Sequence, residues 1–333
     1  MKRRAALAGL LLAAGLGEVA RRPAAAQEPA PNARTHRFWS QALGTWKQYV
    51  VYLPPSYGRQ PARRYPVAFY LHGLYGDEWN WVRLGRLDTV MDSLAAAGGR
   101  ELIVVMPDGD DGWYTTWNVL ANVGECRRRQ PPGRRGEDVG TYCVPWPHYD
   151  DYIARDLVAH VDSSYRTIAD AAHRGIGGLS MGGYGAVSLA LAYPDVFAAA
   201  ASHSGVVSPA YVGPHPFAPP ARYAATLADM REAWGTLWSA VMPAFGRDSS
   251  AWRARDPAFL LRRLLRSGRP APSIYLDVGL DDRFLDGNRA FRAELAALNV
   301  RADYHEHPGG HDWTYWRAHV AESLSWLARQ LAR

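Results

Sequence analysis

The chain has 333 residues, 48% of them apolar, and a formal net charge of +6. This apolar content is enough for a large buried core and excludes a globally disordered chain. Five basic residues against Glu18 in the first 26 positions account for +4 of the charge, so the remaining +2 does not indicate a nucleic-acid-binding protein.

The first 26 residues have the pattern of an export signal. Lys2, Arg3 and Arg4 precede an apolar stretch over 5–17 that is too short to cross a bilayer, and three alanines over 24–26 offer a cleavage site. We therefore expect an exported protein, periplasmic or extracellular, with no stable membrane insertion. The alternative is an N-terminal anchor that is retained. Residues 27–40, which begin with a Pro/Ala-rich stretch, are predicted to form a flexible lead-in.

From residue 41 onward, short apolar runs alternate with segments of helical spacing. The predicted strands are 49–53, 67–71, 102–106, 173–176, 196–201, 273–278 and 301–307. The predicted helices are 87–96, 152–161, 184–192, 288–298 and 316–331. Continuous apolar runs are typical of parallel strands buried on both faces. The alternation predicts a single α/β domain over 41–333, with a mainly parallel sheet covered by helices on both faces.

Two segments interrupt this alternation. Residues 110–148 are loop-like and contain both cysteines, Cys126 and Cys143, which we expect to form a disulfide bond in an exported protein. Two unpaired thiols are the alternative. Residues 206–256 are irregular and begin with several prolines, and we predict a cap-like region there with one or two helices.

A serine motif stands between a predicted strand and a predicted helix. Gly178-Leu179-Ser180-Met181-Gly182 has the form G-x-S-x-G, which in this context is typical of a nucleophile elbow. The two glycines allow a turn too tight for side chains, and the turn holds the serine hydroxyl outward. The sequence therefore predicts Ser180 as a nucleophile and the N–H of Met181, at the helix start, as an oxyanion donor. The alternative is a glycine-rich turn with an incidental serine.

A serine needs an adjacent base, and in this fold an acid and then a histidine should follow it in the chain. Asp281 and Asp282 come after the predicted strand 273–278, and His311 comes after the last predicted strand. One aspartate would orient the imidazole and stabilise its charged form. The alternatives are a solvated acidic turn and a surface histidine.

The loop His72–Gly76 follows the early strand 67–71, where the second oxyanion donor should lie, and the N–H of Leu74 is the predicted donor. His72 itself is predicted to be a buried structural residue. His305, His307 and His311 lack the further ligands that a zinc site needs, so we expect no metal site and no cofactor.

Tryptophans are concentrated in the loops expected to surround Ser180. They favour an aromatic, lipid-linked or carbohydrate-linked ester as substrate, although packing of the loops alone is an equal alternative. The residues predicted to bind substrate are Trp79, Trp113, Trp117 and Trp146.

Five motifs follow one another along the chain: Tyr52–Tyr57, Leu71–Gly73, Gly178–Gly183, Gly279-x-x-Asp282 and Gly309–Trp313. Together they resemble the esterase D family, which groups S-formylglutathione hydrolases, feruloyl and acetyl esterases, enterochelin-type esterases and secreted mycolyltransferases. The resemblance implies an α/β-hydrolase fold, with Ser180 as nucleophile, Asp282 rather than Asp281 as triad acid, and His311 as base. It also implies an oxyanion hole at Leu74 and Met181. The stretch over about 123–147 departs from the family.

The sequence thus predicts an exported serine carboxylesterase that acts on a small-molecule ester, or one linked to carbohydrate or lipid, through an acyl-enzyme. Two alternatives remain open. One is an acyltransferase that uses the same triad to pass the acyl group to a sugar hydroxyl. The other is a non-catalytic secreted binding protein on a hydrolase scaffold. The sequence makes no prediction of oligomeric state.

Overall fold

The computed structural model describes residues 32–117, 124, 128 and 143–331. The strands in these residues are β1 (Ala33–Ser40), β2 (Thr45–Tyr52), β3 (Val67–Leu71), β4 (Ile103–Pro107), β5 (Arg174–Leu179), β6 (Ala199–His203), β7 (Tyr211–Gly213), β8 (Arg222–Tyr223), β9 (Ser273–Gly279) and β10 (Ala302–His307). Eight of them form one sheet in the order β1-β2-β4-β3-β5-β6-β9-β10. β7 and β8 form a separate small hairpin.

The helices in the described residues are α1 (Asn80–Arg83), α2 (Leu87–Ala96), α3 (Tyr149–Asp151), α4 (Val158–Ser164), α5 (Met181–Ala192), α6 (Leu227–Trp234), α7 (Trp238–Phe245), α8 (Ser249–Ala254), α9 (Pro257–Arg266), α10 (Leu285–Ala297) and α11 (Trp313–Gln330). A π-helical turn over Tyr152–Leu157 joins α3 to α4. None of these helices combines the length and the apolar content that crossing a membrane requires.

The six strands from β4 to β10 in the sheet order run parallel, while β1 and β2 pair antiparallel at one edge. Side chains along the strands alternate between two faces, as the strand repeat requires. Val67, Phe69 and Leu71 pack beneath α5, α9 and α10. Ala68 and Tyr70 pack on the opposite face against α2 and α11. A mainly parallel sheet with a core on each face is the predicted architecture, and it is confirmed.

Strand β1 corrects one prediction. Residues 33–40 do not continue a flexible lead-in, because all eight pair with β2 from Ala33 opposite Tyr52 to Ser40 opposite Thr45. The remainder of the predicted lead-in, like the predicted signal peptide over 1–26, lies outside the described residues. The irregular region 206–256 contains the hairpin and α6, α7 and α8, which is more helix than predicted.

The segment with the two cysteines is described only in part. Cys126 lies outside the described residues, and Cys143 is 3% exposed. The disulfide bond therefore stays a prediction.

Candidate active site

Ser180 lies at the carboxyl end of the buried central strand β5, immediately before α5. Its backbone has φ 53° and ψ −116°, a conformation that side-chain-bearing residues rarely adopt. The backbone on either side of Ser180 passes too close to other backbone atoms for a side chain, so glycine is required at 178 and 182. If Gly178 carried a Cβ, that atom would lie 2.6 Å from the carbonyl carbon of Gly182. A Cβ on Gly182 would lie 2.4 Å from the Leu71 carbonyl oxygen. The strand, turn and helix therefore have the geometry predicted from the G-x-S-x-G motif.

The loops after β9 and β10 bring an aspartate and a histidine to this serine. His311 Nε2 lies 2.9 Å from Ser180 Oγ, and His311 Nδ1 lies 2.9 Å from Asp282 Oδ2. The two loops pack tightly, since a Cβ on Gly279 would lie 2.2 Å from the Gly309 carbonyl oxygen. Because the parallel strands end at the same edge of the sheet, three distant chain segments form one hydrogen-bonded line.

The two neighbouring aspartates have different surroundings. The Asp282 side chain is fully buried, and its second oxygen, Oδ1, accepts a hydrogen bond from the Phe284 N–H at 2.8 Å. Asp281 is exposed, and its N–H donates to the Gly309 carbonyl oxygen at 2.9 Å. The structure therefore places Asp282, and not Asp281, against His311.

Aromatic rings fix the orientation of the His311 imidazole. Trp316 and Phe284 approach it edge to face, with ring centroids 5.0 and 5.1 Å away. A quarter of the His311 side chain remains exposed, whereas Asp282 behind it is sealed from solvent. Water or substrate can thus reach the serine side of the imidazole and not the aspartate side.

The two predicted oxyanion donors lie on either side of Ser180. Met181 is the first residue of α5, so its N–H has no acceptor within the helix. Leu74 stands in the turn closed by the hydrogen bond from Gly76 N–H to the Gly73 carbonyl, and it lines the same cavity as Ser180. Among the described residues, no hydrogen bond occupies either N–H.

His72 is buried beneath this turn, with both ring nitrogens bound to backbone. Nδ1 lies 2.8 Å from the Gly73 carbonyl oxygen, and Nε2 accepts from the Gly109 N–H at 2.9 Å. Nδ1 therefore carries the proton and donates it to Gly73, which leaves no nitrogen for a reacting group. This is the structural role predicted for it.

An acidic group lies close to the same turn. Glu78 has its pKa raised to about 7, first by burial and then by the neighbouring charge of Asp108. The Asp108 carboxylate is itself paired with Lys47 Nζ at 2.9 Å. Glu78 therefore exchanges a proton near neutral pH next to the loop that carries Leu74.

A cavity of about 220 Å³ opens at Ser180 and is walled mainly by aromatic side chains. Of the four tryptophans predicted to bind substrate, only Trp113 lines it. The other aromatic lining residues are Trp234, Trp313, Trp316, Phe284 and Tyr75. Trp313 and Trp316 follow His311 closely in the sequence, which was a usable signal. Trp234 comes from the irregular region 206–256, where no sequence motif marks it.

The three other predicted tryptophans lie elsewhere. Trp79 donates its Nε1–H to Thr35 of β1 at 3.0 Å, and Trp117 donates to the Gly112 carbonyl oxygen at 3.1 Å. Trp146 is 55% exposed and lies beside Gly44, in the β1–β2 turn. None of these three side chains lines the cavity at Ser180, and their binding of substrate stays a prediction.

A second, larger cavity of about 490 Å³ adjoins the first. Val206, Trp234, Arg283 and Phe284 line both. The second cavity is more polar, with His215, Arg222, Asp229 and Glu232 in its walls. A molecule bound at Ser180 can therefore extend from an aromatic chamber into a polar one.

A second serine–histidine–aspartate line lies in the protein interior. His203 Nε2 is 2.7 Å from Ser323 Oγ, and His203 Nδ1 is 2.7 Å from Asp277 Oδ2. The Nδ1–Oδ2 contact is short, but it lacks the alignment of a hydrogen bond. All three side chains are fully buried, and Ser323 also lies 2.5 Å from the Tyr70 hydroxyl. Sequence reasoning did not find this line.

The chain is similar to known esterases over most of its length. It matches the family described as putative esterases over residues 40–327. Esterase Rv1288 of Mycobacterium tuberculosis is 28% identical over 292 residues, which cover 83% of this chain. The chain spans only about half, 55%, of that relative's length.

Solved structures of hydrolases share the fold. A ferulic acid esterase has 27% identity and a TM-score of 0.59, covering 90% of this chain and 98% of its own. FphF, a fluorophosphonate-binding serine hydrolase of Staphylococcus aureus, has 21% identity and a TM-score of 0.66. The match covers 89% of this chain and 98% of FphF. An S-formylglutathione hydrolase of Agrobacterium tumefaciens has 20% identity and a TM-score of 0.64. The match covers 90% of this chain and 95% of that hydrolase. The last two show likeness of fold alone. The match over residues 40–327, together with the α/β-hydrolase fold, shows that this chain belongs to the putative esterase family, an esterase D-like group.

Proposed function

We propose that this protein is an exported serine carboxylesterase whose catalytic triad is Ser180, His311 and Asp282. The observation that carries the proposal is the hydrogen-bonded line from Ser180 Oγ through the imidazole to Asp282, at 2.9 Å on each side. The line opens into a cavity on the serine side and is sealed on the aspartate side. A nucleophile must be open to substrate, while the acid that orients its base is held behind it, and this arrangement meets both requirements.

In the acylation step, Ser180 Oγ attacks the carbonyl carbon of the ester and His311 Nε2 takes the hydroxyl proton. The negative charge that develops on the carbonyl oxygen is stabilised by the N–H groups of Leu74 and Met181, each contributing on the order of 10² to 10³ in rate. The tetrahedral intermediate then expels the alkoxide. His311 protonates it, so an alcohol leaves and Ser180 carries the acyl group.

Deacylation repeats these steps with water. His311 Nε2 removes a proton from the water as its oxygen attacks the acyl carbon, and the same oxyanion donors stabilise the second intermediate. The proton returns to Ser180 Oγ as the carboxylic acid departs. Asp282 stays ionised throughout and stabilises the imidazolium that forms in each half-reaction.

The cavity at Ser180 indicates the size of the acyl group. Its volume of about 220 Å³ exceeds the roughly 150 Å³ of an apolar cavity that holds a benzene ring. Its tryptophan walls suit a flat ring, and its size does not suit a long acyl chain. We therefore propose an aromatic or short-chain acyl ester, with the alcohol portion in the polar second cavity. The similarity to a ferulic acid esterase supports an aromatic acid.

Export is part of the proposal and rests on the charged and apolar pattern of residues 1–26. A disulfide bond between Cys126 and Cys143 belongs with it, since exported chains meet oxidising conditions. Mass analysis of the secreted protein, with and without reduction, tests both statements.

A panel of esters tests the activity. We expect hydrolysis of p-nitrophenyl acetate and of methyl hydroxycinnamates, with poor turnover of long-chain acyl esters, and covalent labelling of Ser180 by a fluorophosphonate probe. Repeating the assay with a sugar acceptor separates the alternatives, because an acyltransferase would form acyl-sugar in preference to free acid. A folded protein with no fluorophosphonate labelling would instead support a binding protein.

A further inference from the structure

We propose that Lys47, a side chain buried in β2, is a positioning residue for the oxyanion hole. It acts through His72 on the direction of the Leu74 N–H, and the proposal therefore rests on the proposed function of that N–H. Lys47 is fully buried, and Lys2 and Lys47 are the only lysines among the 38 lysine and arginine residues of the sequence. A buried lysine in such an arginine-rich chain indicates a site that arginine does not suit.

The direction of the Leu74 N–H is set by the peptide group that it shares with the Gly73 carbonyl. A trans peptide group is planar, so its N–H and its C=O point in opposite directions. The Gly73 carbonyl oxygen lies 2.8 Å from His72 Nδ1 and accepts a second hydrogen bond from the Gly76 N–H at 3.0 Å. Because these bonds hold the oxygen, they also hold the N–H on the opposite side of the peptide group. Leu74 itself lines the cavity at Ser180.

The His72 ring is held by the turn over 108–110, which follows β4. The Gly109 N–H donates to His72 Nε2 at 2.9 Å, and this leaves the ring proton on Nδ1 for the Gly73 carbonyl. The turn has an uncommon backbone, since Asp110 has a φ of 48°. Such a conformation costs free energy in a residue with a side chain, so the turn needs stabilising contacts from its surroundings.

Lys47 bridges the two carboxylates on either side of Gly109. Its Nζ donates to Asp108 Oδ2 at 2.9 Å and lies 2.8 Å from Asp110 Oδ1. Both aspartates are buried, so their like charges repel each other strongly unless a cation lies close to both. A compact ammonium group can contact two carboxylates at once where the larger, planar guanidinium of arginine does not fit as well. Lys47 thereby stabilises the turn that presents the Gly109 N–H.

The two carboxylates are also tied to the backbone of the turn and to its neighbours. Asp108 Oδ1 accepts from the Asp110 N–H at 3.0 Å, and Asp110 Oδ2 accepts from the Tyr149 hydroxyl at 2.8 Å. The Asp108 N–H donates to the Gln48 carbonyl of β2 at 3.0 Å. Because Gln48 follows Lys47 directly, β2 holds the start of the turn through its backbone and both carboxylates through the Lys47 side chain.

Lys47→Met and Arg174→Met test the proposal as a matched pair. Arg174 is also a buried cation, with Nη2 2.6 Å from Asp162 Oδ2, but it begins β5 at the end opposite to Ser180. Both variants should be less stable in urea than the parent protein. Only Lys47→Met should lower kcat for p-nitrophenyl acetate, by about 10- to 100-fold, because an oxyanion donor is misdirected but not removed. Its KM should stay within about threefold of the parent value.

A boronic acid supplies a second readout that a loss of stability alone does not change. Phenylboronic acid forms a tetrahedral, negatively charged adduct with a serine nucleophile and so resembles the transition state. Its Ki should rise in Lys47→Met by about the factor by which kcat falls, since both depend on the oxyanion donors. In folded Arg174→Met the Ki should equal that of the parent protein.

The double variant Lys47→Met/Asp110→Asn covers the case in which Lys47→Met does not fold. It removes one positive and one negative charge, so the buried cluster keeps the net charge that it has in the parent protein. Asparagine tolerates the positive φ at position 110. The same fall in kcat is expected, because the bridge from Lys47 to Asp108 is still lost.

His72→Asn and His72→Gln test the last step of the chain of contacts. An asparagine amide can place an N–H where Nδ1 donates to the Gly73 carbonyl, whereas a glutamine amide reaches the position of Nε2. His72→Asn should therefore keep a kcat about tenfold higher than that of His72→Gln. Equal kcat in these two variants, or a folded Lys47 variant with kcat within about twofold of the parent value, would overturn this proposal alone. A parent protein without esterase activity would overturn the proposed function together with it.

Discussion

The part of the chain that the structure describes contains two serine–histidine–aspartate lines, which share their residue types and differ in their surroundings. In the cleft line, Ser180, His311 and Asp282 are linked by two distances of 2.9 Å. In the interior line, Ser323, His203 and Asp277 are linked by two distances of 2.7 Å. Interatomic distance alone therefore does not separate the proposed catalytic line from the interior one.

The difference lies in what surrounds each serine. Ser180 occupies a turn with positive φ, faces a cavity, and has the N–H groups of Leu74 and Met181 close to it. Ser323 lies inside α11, donates to the Val320 carbonyl, and is enclosed by Tyr70 and His203. A carbonyl carbon can approach only the first of them. Access and unoccupied donors, in addition to the three side chains, are what the proposed chemistry requires.

The largest expected effect is the loss of activity in Ser180→Ala. Removal of the nucleophile of such a triad lowers kcat on the order of 10⁶-fold, and the small hydroxyl, which lines the cavity, contributes little to packing. We therefore expect near-complete loss of p-nitrophenyl ester hydrolysis with an unchanged Tm. Retention of more than a few per cent of the activity would show that the proposed nucleophile is wrong.

Asp282→Asn should have the next largest effect. The imidazole would lose its orienting carboxylate, and kcat should fall about 10⁴-fold. Asp281→Asn is the matched control, because Asp281 is adjacent and exposed, and it should change kcat less than tenfold. A larger loss in Asp281→Asn than in Asp282→Asn would reverse the proposed assignment.

The cleft line was predictable from sequence because each member stands in a local motif at a strand end. Ser180 lies in G-x-S-x-G, and His311 lies in a Gly-Gly-His loop after β10. The buried strands were equally visible: residues 67–71 form a continuous apolar run and are all buried in β3. Such signals are local, and the parallel sheet then brings them together.

The interior line was not predictable in this way. Ser323 is a single polar residue within an amphipathic helix, and nothing in its neighbours distinguishes it from a surface serine. Its contact with His203 depends on the packing of α11 against the sheet, which no spacing rule supplies. Strand β1 was missed for a related reason. Most of its residues are polar and exposed, and its eight-residue pairing with β2 is what makes it a strand.

His203→Ala tests the interior line, where we expect a substitution to lower the stability of the fold and to leave the activity largely unchanged. It removes the imidazole whose Nδ1 lies 2.7 Å from the fully buried Asp277 carboxylate, and removing one partner of a buried pair in this way costs about 3–5 kcal/mol. We expect the free energy of unfolding in urea to fall by that amount. The kcat of the folded protein should change less than tenfold, because the His203 side chain does not line the cavity at Ser180.

A large loss of kcat in folded His203→Ala would show that the two lines are coupled. The route for such coupling is visible. Asp277 Oδ1 accepts from the Tyr315 hydroxyl at 3.1 Å, and the Tyr315 ring packs against Gly309 in the His311 loop. His215→Ala is the control, because this histidine also pairs with an aspartate but is largely exposed, so its loss should cost little.

Ser323→Ala is the smallest change and compares the two serines directly. It removes one oxygen from the interior line and leaves His203 Nε2 and the Tyr70 hydroxyl each without a buried partner. Burial raises the pKa of the Tyr70 phenol, so ionisation cannot relieve that loss at neutral pH. We expect a loss of about 1–3 kcal/mol in unfolding free energy with kcat unchanged. Since Ser180→Ala should lower kcat and leave stability unchanged, the same substitution should have opposite consequences at the two sites. Equal effects of the two substitutions on kcat would mean that the interior serine takes part in the reaction, and that access to the cleft does not distinguish the two lines.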